Sequence, residues 1–152
     1  MAAGVHLAAD EGAEQSFGPN RIQFKIGRGT GARSLSLMTS TFRPGGGYPF
    51  LHVHRSFEEM FYVVSGELEY RLGDARLPAR TGSTIFIPAG VPHCFKGIGT
   101  QPASIIVIYS SPDGLQMVED LVTAGPDPKK HAEIFERYDS SLIVDSSPVD
   151  PN

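Results

Sequence analysis

The chain has a single cysteine, Cys94, in 152 residues. No disulfide can therefore form within it, which fits a reducing compartment. It also lacks an excess of basic residues: 13 Lys and Arg against 17 Asp and Glu give a formal charge of -4 and a pI near 5.7. That balance argues against nucleic acid and against an anionic membrane surface as partners. No apolar run approaches the ~20 residues that cross a bilayer. The first residues, Met1 to His6, lack the basic start and apolar stretch of a secretory signal. A cytoplasmic location follows as the expectation. There is no internal repeat, and at 40% hydrophobic the chain can build one core but not two ordinary ones.

What it does have lies between Gly46 and His93. One segment reads Gly46-x5-His52-x-His54-x4-Glu59-x6-Gly66, and a second reads Gly82-x5-Pro88-x-Gly90-x2-His93. Three imidazoles and a carboxylate suit a divalent first-row transition ion: iron or manganese first, with nickel, zinc, copper and cobalt as alternatives. On extended chain, His52 and His54 point to one face, because side chains alternate with period two. A bend near Arg55 and Ser56 then lets the next strand bring Glu59 back beside them. Residues 59–66 are aromatic and β-branched, which favours a strand, and Pro49 argues against a helix carrying the histidine pair. The two-histidine helix of the zinc proteases needs a spacing of four, so it is excluded. The turn Pro88 to Pro92 aims a further strand that delivers His93. Alternation places Glu58 opposite Glu59, as a solvated or intersubunit charge, and Cys94 opposite His93, as a small packing residue.

These two segments resemble the two motifs of the cupin superfamily, in which the four ligand positions map onto His52, His54, Glu59 and His93. The likeness extends from about Phe17 to Val144 and is strongest to small single-domain cupins of the quercetin-dioxygenase-like kind. It implies an all-β fold, the double-stranded β-helix of the cupin jelly-roll barrel, followed by two short C-terminal helices. One departure is Gly97, where the second motif often closes with Asn. That Asn is not a metal ligand, so the departure bears on packing at the strand end. Small cupins commonly pair through sheet edges, and covering an exposed edge is a physical reason to form a homodimer.

The residues themselves give a compatible outline. Residues 1–16 show no useful periodicity and are expected as a tail, mobile unless packed on a partner subunit; 17–110 form the barrel, and 111–152 a helical extension. Strands are expected at 20–26, 33–42, 50–54, 58–65, 67–72, 75–79, 84–87, 92–97 and 103–110, with a two-residue hairpin at Gly73-Asp74. Beyond Ser111, the residues Leu115, Val118, Leu121 and Val122 recur at helical spacing up to Gly125-Pro126. A second helix is capped by Asp127 with Pro128 at its first position, and shows His131, Ile134, Phe135 and Tyr138 on one face. His131 and His6 are read as packing or surface residues.

Strand parity also outlines a substrate pocket. Phe50 accompanies His52 and His54, Phe61 and Val63 accompany Glu59, and Phe95 accompanies His93. Met38 and Phe42 share one parity of an earlier strand, while Ile106 and Ile108 share one parity of the last. An apolar, aromatic wall fits a small molecule such as an enol, a catechol or a diketone better than oxalate or a sugar phosphate. An octahedral ion with four protein ligands keeps two positions open, which suits an oxygen-dependent, dioxygenase-like oxidoreductase with Glu59 taking a proton from substrate. The alternatives are a metal-dependent isomerase, lyase or cyclase on a polyketide-type substrate, and a binding module without turnover. Within the resembled family, a 2-oxoglutarate oxygenase would show an acidic residue at position 54, and the metal-free sugar epimerases do not need four ligands.

Overall fold

The computed structural model describes residues 4–144. Eleven strands and two helices follow in chain order: β1 (Ala13–Phe17), β2 (Asn20–Ile26), β3 (Ser36–Phe42), β4 (Gly47–His54), β5 (Glu59–Ser65), β6 (Glu67–Leu72), β7 (Ala75–Arg80), β8 (Thr84–Ile87), β9 (His93–Ile98), β10 (Ala103–Tyr109), α1 (Pro112–Ala124), α2 (Pro128–Arg137) and β11 (Ser140–Leu142). They form two antiparallel sheets, one in the order β1-β2-β3-β10-β5-β8 and the other β11-β4-β9-β6-β7. The strands that face each other across the sandwich come from distant parts of the chain, as in a jelly roll.

Alternation along each strand decides which side faces the core. In β3, residues 36, 38, 40 and 42 are buried; in β10, residues 103, 105, 107 and 109 are buried. Met38 and Phe42 are thus on the inward parity, but in β10 the inward parity is Ile105, Val107 and Tyr109, and Ile106 and Ile108 face outward. Those two had nothing in a uniformly apolar strand to set their direction. The centre of the core is Phe61, Val63, Leu68, Tyr70 and Val107, each at most 1% exposed. Gly66 joins β5 to β6 at φ 82, with Ala103 Cα 2.6 Å from where a Cβ would sit, so both conformation and close approach require glycine there.

Two strands escaped the sequence reading. β1 lies inside the stretch read as a featureless tail, and all five of its residues pair with β2. It is a short, mostly exposed edge strand, so burial leaves little alternation to see. β11 has three residues and pairs with β4, with Ser140 opposite His54. Residues 1–3 and 145–152 of the expected tail and extension lie outside the described residues.

Both helices form where periodicity, and for the second its cap, place them. Ser111 accepts from the Asp113 amide, and Asp127 accepts from those of Lys129 and Lys130. α1 is docked by Ser36, whose hydroxyl donates to the Ser111 carbonyl (2.8 Å) and accepts from the Leu115 amide (3.3 Å). Gly114 permits this approach, since a Cβ there would fall 2.2 Å from Cγ of Tyr109. The helices therefore close the barrel mouth at the end of β10, beside Glu59, its register partner. No described helix is long and apolar enough to cross a membrane.

Candidate metal centre

The four expected ligands come together. One donor atom from each of His52, His54, Glu59 and His93 lies within 4.8 Å of the others, and all four residues are buried. His52 and His54 stand on β4, Glu59 opens β5 after the bend at Arg55-Ser56, and His93 opens β9 directly opposite His52. Glu58 is exposed and Cys94 is half-buried on the other face of its strand, as alternation requires. Burial raises the Cys94 thiol's pKa, which keeps it protonated.

The hydrogen bonds fix which imidazole nitrogen is free. Nδ1 of His52 is 2.8 Å from the Phe50 carbonyl and Nδ1 of His93 is 2.9 Å from the Val91 carbonyl, so both must donate. Nδ1 of His54 is 2.9 Å from the Ser140 hydroxyl, which itself donates to the Tyr138 carbonyl at 3.0 Å and so accepts from His54. All three rings carry a proton on Nδ1 and turn Nε2 inward. Such bonds orient metal-binding imidazoles and raise their basicity. Against these nitrogens stands Oε2 of Glu59, 2.9 Å from Nε2 of His93 and 3.4 Å from Nε2 of His54.

Electrostatics prepares the same set. Burial, then the neighbouring His93 and His54, push the His52 pKa well below its ordinary value, so that ring is neutral and its lone pair available. Burial would raise the Glu59 carboxyl, but hydrogen bonds and charge from His54 and His93 outweigh it and hold Glu59 far below the usual carboxylate range. Burial likewise lowers His93, yet Glu59 more than compensates and its pKa is raised. Without an ion, Glu59 and His93 therefore form a buried ion pair. A divalent cation would replace that proton, so the donor set fits a transition ion. The cluster could hold a metal; its identity is open within the borderline set.

Above the ligands is a small cavity of about 70 Å3, into which His52 and Glu59 face. Met38, Phe61 and Phe95 line it as expected. Phe42 and Val63 are instead core residues behind it, at 1% and 0% exposure, with Phe42 packed on Phe95 at 6.0 Å. Phe50 requires a correction, for it is 58% exposed and outside the cavity. The cause is an irregularity in β4: Tyr48 pairs with Phe95 and His52 with His93, so three residues of β4 face one of β9 and the intervening alternation is lost. Tyr48 takes the inward place.

Several residues of this site were not singled out from sequence. Tyr48 meets the His52 ring edge-on at 5.1 Å, and Phe135 of α2 lies 5.3 Å from His52 and 6.0 Å from His54. His54 is stacked between Phe135 and Phe57, the latter at 4.6 Å. Tyr109 lines the cavity beside Glu59, and Tyr70 is buried with its hydroxyl unpartnered among the described residues. Burial raises both phenols, reinforced by the charge of Glu59, and keeps them protonated. Shared parity with His52 could have flagged Tyr48; the other contacts are tertiary. Gly97, where the second motif departs from the resembled pattern, lies against the Phe42 ring, 3.1 Å from where its Cβ would be.

Comparison with known proteins agrees with this geometry. Residues 38–109 match the model of the cupin domain family. The chain is 36% identical over 76 residues to protein SchB of Streptomyces halstedii, covering 50% of this chain and 54% of SchB. To the polyketide synthase CurC of Streptomyces cyaneus it is 32% identical over 81 residues, 53% of this chain and 49% of CurC. It spans about half the length of the curated relatives it matches. Among solved structures, KdgF from Halomonas sp. superposes with a TM-score of 0.63 at 17% identity, covering 72% of this chain and 94% of that chain, a likeness of fold. With both motifs in place, their ligands gathered and the barrel closed around them, residues 38–109 form a cupin domain.

Proposed function

We propose that this chain is a metal-dependent enzyme acting on a small apolar or aromatic substrate that chelates through an enol, a catechol or a diketone. One observation carries the reading: three inward-turned Nε2 atoms and one carboxylate converge at the floor of a cavity walled by Met38, Phe61, Phe95 and Phe135. A first-row ion bound there, iron or manganese first, supplies Lewis acidity and chemistry with dioxygen. The chain's own residues do the rest. The apolar wall excludes water and strengthens every electrostatic interaction inside. Among the described residues Glu59 is the one carboxylate lining the cavity, and is the group placed to take a proton from a substrate hydroxyl. The protonated Tyr109 phenol lines the cavity beside it.

The first reading is an oxygen-dependent oxidoreductase of dioxygenase type, in which both oxygen atoms enter the product and no further reductant is consumed. A second, an oxygen-independent isomerase, lyase or cyclase on a polyketide-type substrate, is favoured by the similarity to CurC, a polyketide synthase by name. Oxygen uptake by the iron and manganese forms, with a panel of flavonols and enolised diketones, separates them. Uptake matched to substrate loss supports the first; substrate loss under strict anaerobiosis overturns it in favour of the second. Tight binding with no turnover under either condition would leave a binding module.

A further inference from the structure

We propose that the outer face of the six-stranded sheet docks a second copy of this chain, in a two-fold dimer with the two sheets face to face and their strands running in opposite directions. The homodimer expected from the sequence would then form through a sheet face and not through an edge.

The face follows from strand parity. Residues 59, 61 and 63 of β5 and residues 103, 105, 107 and 109 of β10 fill the core, so the residues between them point away from the barrel. A solvated face would carry polar side chains at those positions. Instead they include Met60, Tyr62 and Val64, exposed by 37%, 46% and 46%, with Phe86 of β8 beside them at 53%. Register joins them into rows: Met60 lies between Ile108 and Phe86, and Tyr62 between Ile106 and Thr84. No Asp, Glu, Lys or Arg interrupts either row. A contiguous apolar patch of this kind marks an interaction surface, and a strand that is apolar on both sides is suited to being covered on both.

Area and charge select a second copy as the occupant. At ~4.8 Å per strand and ~3.3 Å per residue, the apolar part covers about 300 Å2 and the whole six-stranded face about 650 Å2. Side-chain relief raises the accessible area above that footprint, so the face approaches the ~800 Å2 that each partner buries in a standard interface. Glu58 precedes β5 at one end of the face, and Arg43 follows β3 at the other, since β3 and β5 run the same way on either side of β10. Both are exposed, and neither forms an ion pair among the described residues. A two-fold axis lying across the strands reverses those of the partner and brings Glu58 of each copy toward Arg43 of the other. Two sheets stacked in this way pack as in a β-sandwich, with strand directions within about 30°. The edges offer less: β1, β8 and β11 have five, four and three residues, and β7 carries Pro78 between Arg76 and Arg80.

Sedimentation velocity of the full chain tests this, with the wild type expected at about twice the 16.4 kDa of one chain. Tyr62→Arg and Phe86→Lys each place an unpaired charge in the interface and are expected to weaken self-association about 100-fold or more. Both positions are exposed in the single chain, so circular dichroism should stay that of the wild type. Leu77→Arg, at a residue equally exposed at 46% but on β7 of the other sheet, should change association by no more than about twofold. Glu58→Arg should weaken it about fivefold, and Arg43→Glu added to the same chain should restore it. A wild type that stays monomeric overturns the inference and leaves the face to a different partner. So does a dimer that both Tyr62→Arg and Phe86→Lys leave intact, or one that Leu77→Arg dissociates as strongly as they do. Failure of the charge swap to restore association overturns the reversed-strand arrangement.

Discussion

The motif-bearing strands and the C-terminal segment contribute to the same centre in opposite ways. β4, β5 and β9 supply every donor atom, whereas α2 and β11 supply none, yet hold and cover what the strands present. Phe135 packs on His52 and stacks on His54, Ser140 fixes the tautomer of His54, and His131 holds Tyr48 at the mouth. Chemistry and its support are thus separated along the chain by some 40 residues and joined only by folding. The difference teaches that ligand type is set locally, by a few residues at fixed spacing, while ligand orientation is a property of the closed barrel.

Removing a donor should break the comparison most sharply. His52→Ala or His93→Ala is expected to reduce metal content from close to one first-row ion per chain to about a tenth or less, measured by elemental analysis of protein purified without added metal. Full retention of metal by both variants would sink the assignment of the centre. Phe135→Ala tests the cover. A ring only 1% exposed leaves a large cavity when truncated, so unfolding in denaturant should show a loss of about 3 to 5 kcal/mol. Metal content should nonetheless survive wherever the variant stays folded, because no donor is touched. A variant that stays folded and loses its metal would show that the strands do not hold the ligands unaided.

Ser140→Ala asks the subtler question of whether orientation alone matters. It leaves the Nδ1 proton of His54 without its acceptor in a buried site, and such outer partners are typically worth about 10- to 100-fold in metal affinity. Competition with a chromophoric chelator reads that change directly, and an effect under about threefold would mean the imidazole is held by its stacking between Phe57 and Phe135.

The same division explains what was legible in the sequence. Nine strands and both helices followed from alternation, turn residues and caps, and the four ligands from spacing, because each is a property of neighbours in the chain. Phe50 failed where alternation itself fails, at the irregularity of β4 between Tyr48 and His52. The facing of Ile106 and Ile108 stayed open because β10 is apolar on both faces, so period two carries no direction. Ser140 and Phe135 could not be placed at the site from sequence, since a serine 86 residues from its histidine gains meaning only once β11 pairs with β4. β1 and β11 are too short and too exposed, or too mixed, to declare themselves.

The smallest effect expected is also the one that isolates a single ligand. In metal-free protein the His93 pKa is raised, so its stabilising contribution is complete below the unfolded value of about 6.5 and is lost only as pH rises through the folded value. Glu59 is lowered, so its contribution is complete above about 4.5 and is lost only as pH falls through the folded value. Between those limits both are constant. His52 is lowered by burial and by its two histidine neighbours, so the unfolded chain takes up a proton there that the folded chain refuses, and stability must fall as pH drops below about 6.5. From pH 6 to 5, the metal-free wild type should therefore lose up to about 1.4 kcal/mol through this group, while His52→Gln should flatten the profile over the same interval. Equal slopes in the two proteins would mean that His52 is protonated in the fold, and that the centre does not hold a neutral imidazole ready for its ion.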